Sequence, residues 1–307
     1  MQFREALSAR LRPFVPRPAR DAIKSIRSVV RGMRRSSSRA LGASDLARDL
    51  RAAGIKNGDV LFVHTSLAKI GNVDGGAATV IAALTQAVGK NGTLAMPAYG
   101  TAEAALRAHR DGNPVDLRTE PSQTGKITEA FRRTAGVVRS SHPFSSVCAW
   151  GAQAEFLTSG HANEERICHS DSPIARFLQL GGKVVGLGVS LGPVSFYHVI
   201  EDTWDGFPFN TYVEPVDISY VDASGRQVNR RITYYDRELT ARRIDSDGGI
   251  GVRAQMTSHL SERGLLHSFT CGAASSWWFD AEEVYAELQL LAARGITIYA
   301  DTARTRV

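Results

Sequence analysis

No apolar run in the 307-residue chain is long enough to span a bilayer, and the N-terminus lacks the apolar stretch of a secretory signal. Cysteine is scarce. Cys148, Cys168 and Cys271 are odd in number and widely spaced, which suits neither a disulfide framework nor a zinc site. A reducing cytoplasm is the expected setting. No internal repeat is visible, so repeat architectures are set aside, and no HExxH pattern offers a metal its ligands. No metal is expected.

What is present begins with charge. The net +6 is unevenly spread: residues 1–44 carry eleven Lys/Arg against two Asp/Glu, and the remainder carries 26 against 29. The chain is a slightly acidic body behind a basic arm, and no nucleic-acid partner is implied. Beyond Pro13, Pro16 and Pro18, the residues Ala22, Ile23, Ile26, Val29, Val30 and Met33 recur at three- and four-residue spacing among basic side chains. That predicts a basic amphipathic helix over 19–35. Such a helix suits packing on the body, or peripheral contact with an anionic surface such as the inner membrane. Ser36-Ser37-Ser38 reads as a linker. The expected division is an arm, 1–43, and a globular body, 44–307.

With 43% hydrophobic residues the body can bury a sizeable core. Ser44 is expected to cap a helix through Ala53, ended by Gly54. Val60–Val63, Thr93–Met96 and Lys183–Val189 are apolar runs of strand length, and Thr79–Val88 is helical. Residues 213–235 alternate and turn at Ala223-Ser224-Gly225, which predicts a hairpin. Trp277–Arg294 reads as an amphipathic helix and Ile296–Ala300 as a closing strand. Residues 99–125 lack periodicity and are expected to form a substrate-facing loop. Strands alternating with helices, plus one hairpin, predict an α/β protein with a mixed central sheet flanked by helices.

Three segments could carry chemistry. His64-Thr65-Ser66-Leu67-Ala68-Lys69-Ile70-Gly71 follows a strand and precedes a helix, with Gly75 and Gly76 beyond. Small residues there let backbone N–H groups approach a phosphate, although the segment fits neither the Walker pattern nor GxGxxG. Most such loops merely connect elements. Arg139-Ser140-Ser141-His142-Pro143 gathers a guanidinium and hydroxyls, which suits a phosphate; on residues alone a polar turn fixed by Pro143 is the simpler reading. In Phe196–Asp202, His198 and Glu201 stand at i and i+3 on one helical face. A carboxylate beside an imidazole orients the ring for general-base work, while a surface ion pair uses the same spacing. Gly188-Val189-Ser190-Leu191-Gly192 fits G-x-S-x-G, with Asp245 or Asp247 and His259 or His267 downstream in serine-hydrolase order. Pro193 argues against the helix that a nucleophile elbow must launch.

Taken together, the body resembles the aminoglycoside 3-N-acetyltransferases, the antibiotic N-acetyltransferase family. The resemblance rests on ordered segments at 58–97, 125–151, 172–189, 196–201 and 277–284, including GDVLFVHTSLAKIG, FRRTAGVVRSSHPFSS, FYHVIE and WWFDAEEV. It implies an antibiotic N-acetyltransferase-like fold and direct acetyl transfer from acetyl-CoA to an amine of an aminoglycoside or related amino sugar, without a metal. It implies that Ser66, Leu67, Lys69, Ile70, Gly71 and Val73 contact CoA, as do Arg139, Ser140, His142 and Pro143. His198 would be the catalytic base with Glu201 behind it, and Glu201, Asp205, Asp171 and Asp236 would receive a cationic acceptor. An amino sugar or amino sugar nucleotide of surface polysaccharide or natural-product biosynthesis is the alternative acceptor. A non-catalytic CoA or carbohydrate binder and a serine hydrolase are the remaining alternatives.

Overall fold

A parallel strand buried on both faces needs a nearly continuous apolar run, and the computed structural model centres its sheet on three of them. The structure describes residues 39–192, 194–241 and 252–299. The predicted arm helix, Asp245, Asp247 and Ala300 lie outside the described residues. The strands are β1 (Val60–Thr65), β2 (Thr93–Pro97), β3 (Val138–Arg139), β4 (Val147–Gly151), β5 (Lys183–Leu187), β6 (Val216–Val221), β7 (Gln227–Ile232), β8 (His267–Cys271) and β9 (Ala274–Asp280). Seven form one sheet in the order β3-β4-β2-β1-β5-β9-β8. β2, β1 and β5 are parallel, with Leu61 opposite both Leu94 and Lys183. β4 and β3 on one side, and β9 and β8 on the other, run antiparallel to their neighbours. This is the mixed α/β sheet read from the sequence, and β6 with β7 is the predicted hairpin.

Alternation along the strands feeds two cores. Leu61, Val63, Leu94, Met96, Val185 and Leu187 face helices Ala43–Ala52, Ala77–Val88 and Lys126–Arg132. Phe62, Ala95, Val184 and Phe279 face helices Ala154–Ser159, Pro173–Gln179 and Ala281–Ala293, together with the hairpin. The segment that carries the candidate dyad belongs to this second layer, through buried Phe196, Tyr197, Val199 and Ile200.

Several local expectations are corrected. The first body helix is capped by Gly42, whose N–H donates to Asp45 Oδ2 at 3.1 Å, and not by Ser44. Leu41 already pairs with the body, donating to the Asn72 carbonyl at 2.8 Å. Residues 99–125 contain a helix, Ala102–Arg110, capped by Thr101. Trp277–Asp280 is strand, and the helix begins only at Ala281. Among residues 296–299 only Tyr299, which is buried, makes a β-bridge, in place of the predicted strand. Among the described residues no helix is long and apolar enough to cross a membrane.

Candidate active site

The C-terminal ends of the parallel strands face one edge of the sheet, the place where open α/β sheets bind ligands. There Ser66 N–H donates to the Leu187 carbonyl at 2.8 Å, tying the segment that leaves β1 to the end of β5. Gly188 adopts φ +69°, and a Cβ on it would stand 2.8 Å from Lys69 Cβ. The close approach and the left-handed conformation both call for glycine. Trp277 fixes the next residue, its indole N–H donating to the Val189 carbonyl at 2.7 Å. The chain then passes Gly192 into a 3₁₀ turn, Ser195–His198, and an α-helix, Val199–Thr203.

That turn joins the predicted pair. His198 Nδ1–H donates to Glu201 Oε1 at 2.7 Å. A carboxylate accepts, so the proton resides on Nδ1 and Nε2 is the basic nitrogen. The Tyr299 hydroxyl donates to the same oxygen at 2.9 Å, and the Tyr235 ring lies 4.7 Å from the imidazole. All three members of the chain Tyr299, Glu201 and His198 are buried, and Glu201 Oε2 is buried with no hydrogen-bond partner among the described residues. Asp202, next in sequence, accepts from Tyr212 Oη–H at 2.6 Å and from Cys168 N–H at 2.8 Å. Burial pushes the Asp202 carboxyl up to about 6; the nearby Glu201 adds to the rise, and the two bonds oppose it.

His198 lines a cavity of 860 Å³ with Tyr99, Phe144, His161, Cys168 and Tyr235, a size that admits a small-molecule substrate. Of the site residues named from sequence, His198 alone lines it. From the segment expected to face substrate, Tyr99, Gly100 and Thr101 line it from a loop, and Glu103 from the helix that follows.

The other named residues lie outside the cavity lining, several of them bonded to local partners. The Arg139 guanidinium donates to the carbonyls of Leu117, Glu120 and Ala98 and to Ser146 Oγ at 2.7–3.1 Å. Three of those four bonds go to loop carbonyls, and burial lowers the guanidinium's pKa. Ser140 Oγ bonds His161 Nδ1 at 2.8 Å and accepts Val147 N–H at 2.8 Å. His142 is buried and accepts Ser145 N–H at 3.1 Å, and Pro143 is buried beside it. Ser66 and Leu67 are half-buried, Ile70 lies in the core, Lys69 is exposed, and Val73 bridges to Leu41. Gly71 has φ +112°. Asp171 accepts from Asn163 at 2.7 Å and Arg176 at 3.1 Å, and the first of these, then the second, lowers its pKa. Asp236 Oδ1 caps helix Arg237–Ala241 by accepting from Glu238 and Leu239 N–H. Asp205 is exposed on a turn.

Sequence reasoning missed Asp202, Tyr235 and Tyr299. Only Asp202 had a local signal, as the second acid of the Glu-Asp pair; the tyrosines arrive by tertiary packing. The hydrolase reading fails on geometry. Ser190 is exposed and no helix begins before Ser195. His259 is bonded to Glu287, and His267 stacks on Trp278. Among the described residues no three His, Cys, Asp or Glu side chains are grouped as a metal site.

Comparison with known proteins matches residues 62–291 to the family described as aminoglycoside 3-N-acetyltransferase. Aminoglycoside N(3)-acetyltransferase VII of Streptomyces paromomycinus is 34% identical over 257 residues, covering 78% of this chain and 87% of that protein. The solved structure of AAC-IIIb in its binary complex with CoASH superposes with a TM-score of 0.69 at 26% identity, covering 83% of this chain and 96% of that one. AAC-VIa bound to sisomicin gives 0.71 at 25% identity, over 85% and 100%.

Proposed function

Because the chain belongs to the aminoglycoside 3-N-acetyltransferase family and is therefore an acyltransferase, we propose that it moves the acetyl group of acetyl-CoA directly onto an amino group of an aminoglycoside or related amino sugar, with His198 as general base. The observation that carries this reading is the bond from His198 Nδ1 to Glu201 Oε1, made by a histidine on the cavity wall. Its other nitrogen is free in kind to accept a proton.

In this reading His198 Nε2 takes one proton from the attacking amine nitrogen. The N–C bond forms as the thioester C–S bond breaks, and the same proton passes from the imidazolium to the departing sulfur. One thioester and one amine yield one amide and one thiol. Glu201 holds the ring and offsets the charge that His198 gains, and Tyr299 holds Glu201. The acceptor class is supported by the sisomicin complex of a structural relative, and the thioester donor by the CoASH complex of another.

For the donor, we assign the backbone of Ser66, Leu67, Lys69, Ile70, Gly71 and Val73 as the CoA-facing loop. Its position against Gly188 brings it beside the loop that ends in the dyad. Arg139, Ser140, His142 and Pro143 then act as the scaffold of the neighbouring loops.

The test is His198→Ala. Turnover should fall roughly 10²–10⁴-fold, the usual yield of a positioned general base, while CoA binding measured by calorimetry stays within about twofold. Retention of full turnover would remove His198 from the chemistry.

A further inference from the structure

The charges around the cavity bear on which amine is taken, on the premise that acetyl transfer is the reaction. An acceptor with several ammonium groups must replace the water around each with carboxylates or carbonyls. Among the described residues lining the cavity there is one carboxylate, Glu103, against two guanidiniums, Arg110 and Arg237. Both Glu103 oxygens are engaged, Oε1 by Arg107 at 3.2 Å and Oε2 by Arg237 at 2.5 Å. The acids that the sequence offered do not line the cavity: Asp171 and Asp236 are spent on local partners, and Asp205 sits on its exposed turn. Glu201 and Asp202 are also outside the lining.

Arg110 differs from these. It is exposed at the end of helix Ala102–Arg110, lines the cavity, and makes no ion pair among the described residues. Its guanidinium offers a two-pronged donor that matches a phosphate or carboxylate. Tyr99, Phe144, Tyr234 and Tyr235 line the same cavity as Arg110 and His198, and aromatic rings suit the apolar face of a sugar.

We infer that the acceptor is an amino sugar bearing an anionic group, with Arg110 binding that group while His198 serves the amine. The described lining thereby suits a substrate of mixed charge better than a polycation. A guanidinium here could also serve a phosphate of CoA, and the experiment separates the two sources.

Thiol release from acetyl-CoA is followed with glucosamine, glucosamine 6-phosphate, a uridine-diphosphate amino sugar and sisomicin as acceptors. The expected order of kcat/KM places at least one phosphorylated sugar tenfold or more above glucosamine, with sisomicin lowest. Arg110→Glu, an exposed substitution, should raise KM for the phosphorylated acceptor at least tenfold and leave KM for acetyl-CoA within twofold. Turnover of sisomicin at or above the phosphorylated sugars overturns the inference and leaves the acetyl-transfer reading standing. A rise in the acetyl-CoA KM instead gives Arg110 to CoA and also overturns it. Release of no thiol with any acceptor, in a protein that still unfolds cooperatively, fails the acetyl-transfer reading itself and the inference with it.

Discussion

Glu201 Oε1 receives two hydrogen bonds from parts of the chain that are far apart, His198 three residues before it and Tyr299 98 residues after it. The carboxylate is therefore oriented from both sides, and its orientation sets that of the imidazole. A buried hydrogen bond to a charged group is worth about 1.5–3 kcal/mol, and only the share that disturbs His198 should reach the rate. Tyr299→Phe keeps the edge-on packing against Phe209 and removes the donor. We expect kcat to fall roughly 3–10-fold with KM for acetyl-CoA unchanged, in steady-state assays of both substrates. An unaltered kcat would reduce Tyr299 to packing. The dyad was legible in sequence because i and i+3 share a helical face, which a 3₁₀ turn followed by α-helix preserves. Tyr299 was not legible, since no local rule links residues so distant.

Elements tell a similar story of local and non-local information. The three parallel strands were readable because burial on both faces demands unbroken apolar runs. The edge strands β3 and β8 were not: β3 has two residues, and β8 is mostly half-buried or exposed, so neither leaves a hydrophobic period. Trp277–Asp280 was mistaken for the first turn of a helix because its aromatics sit next to a helical period; the pairing of Trp277 with Gly186 and of Phe279 with Val184 makes it strand. Gly186 matters here, since a Cβ on it would come within 2.2 Å of the Trp277 ring. Arg139 shows how a phosphate-like signature can serve structure. At the end of β3 it joins the carbonyls of Ala98, Leu117 and Glu120, from the segment that follows β2. Arg139→Ala leaves these carbonyls without their donor. Loss of about 2–4 kcal/mol of stability in urea unfolding is expected, by analogy with other partly buried hydrogen-bonded sites. A variant of native stability with a raised acetyl-CoA KM would restore Arg139 to the CoA contacts implied by the resemblance.

On the scale of the whole molecule, one ionisation pattern stands out: several imidazoles are buried and held neutral. Burial lowers His64 to about 4 and His161 to about 3; it also lowers His142 and His169, with His161 adding to the effect at His142. Each depressed value means that the folded state binds the proton more weakly than the unfolded chain, whose imidazoles titrate near pH 6.5. The stability tied to these groups is complete above that pH and is lost as pH falls through the folded values. Glu129, held at about 2 by its bond from Arg132, works in the same sense between about pH 4.5 and 2. Asp202 works in the opposite sense: with a folded value near 6, its contribution is present at low pH and is lost as pH rises through 6. Burial raises the Asp280 carboxyl as well, yet four imidazoles outweigh these two carboxyls, so acid should destabilise the protein. His64 alone should cost about 2 kcal/mol between pH 7 and pH 5. The urea midpoint is therefore expected to fall steeply across that interval, and His64→Gln should flatten part of the slope. A midpoint that held level or rose from pH 7 to pH 5 would mean that these rings take up protons without unfolding the core around them.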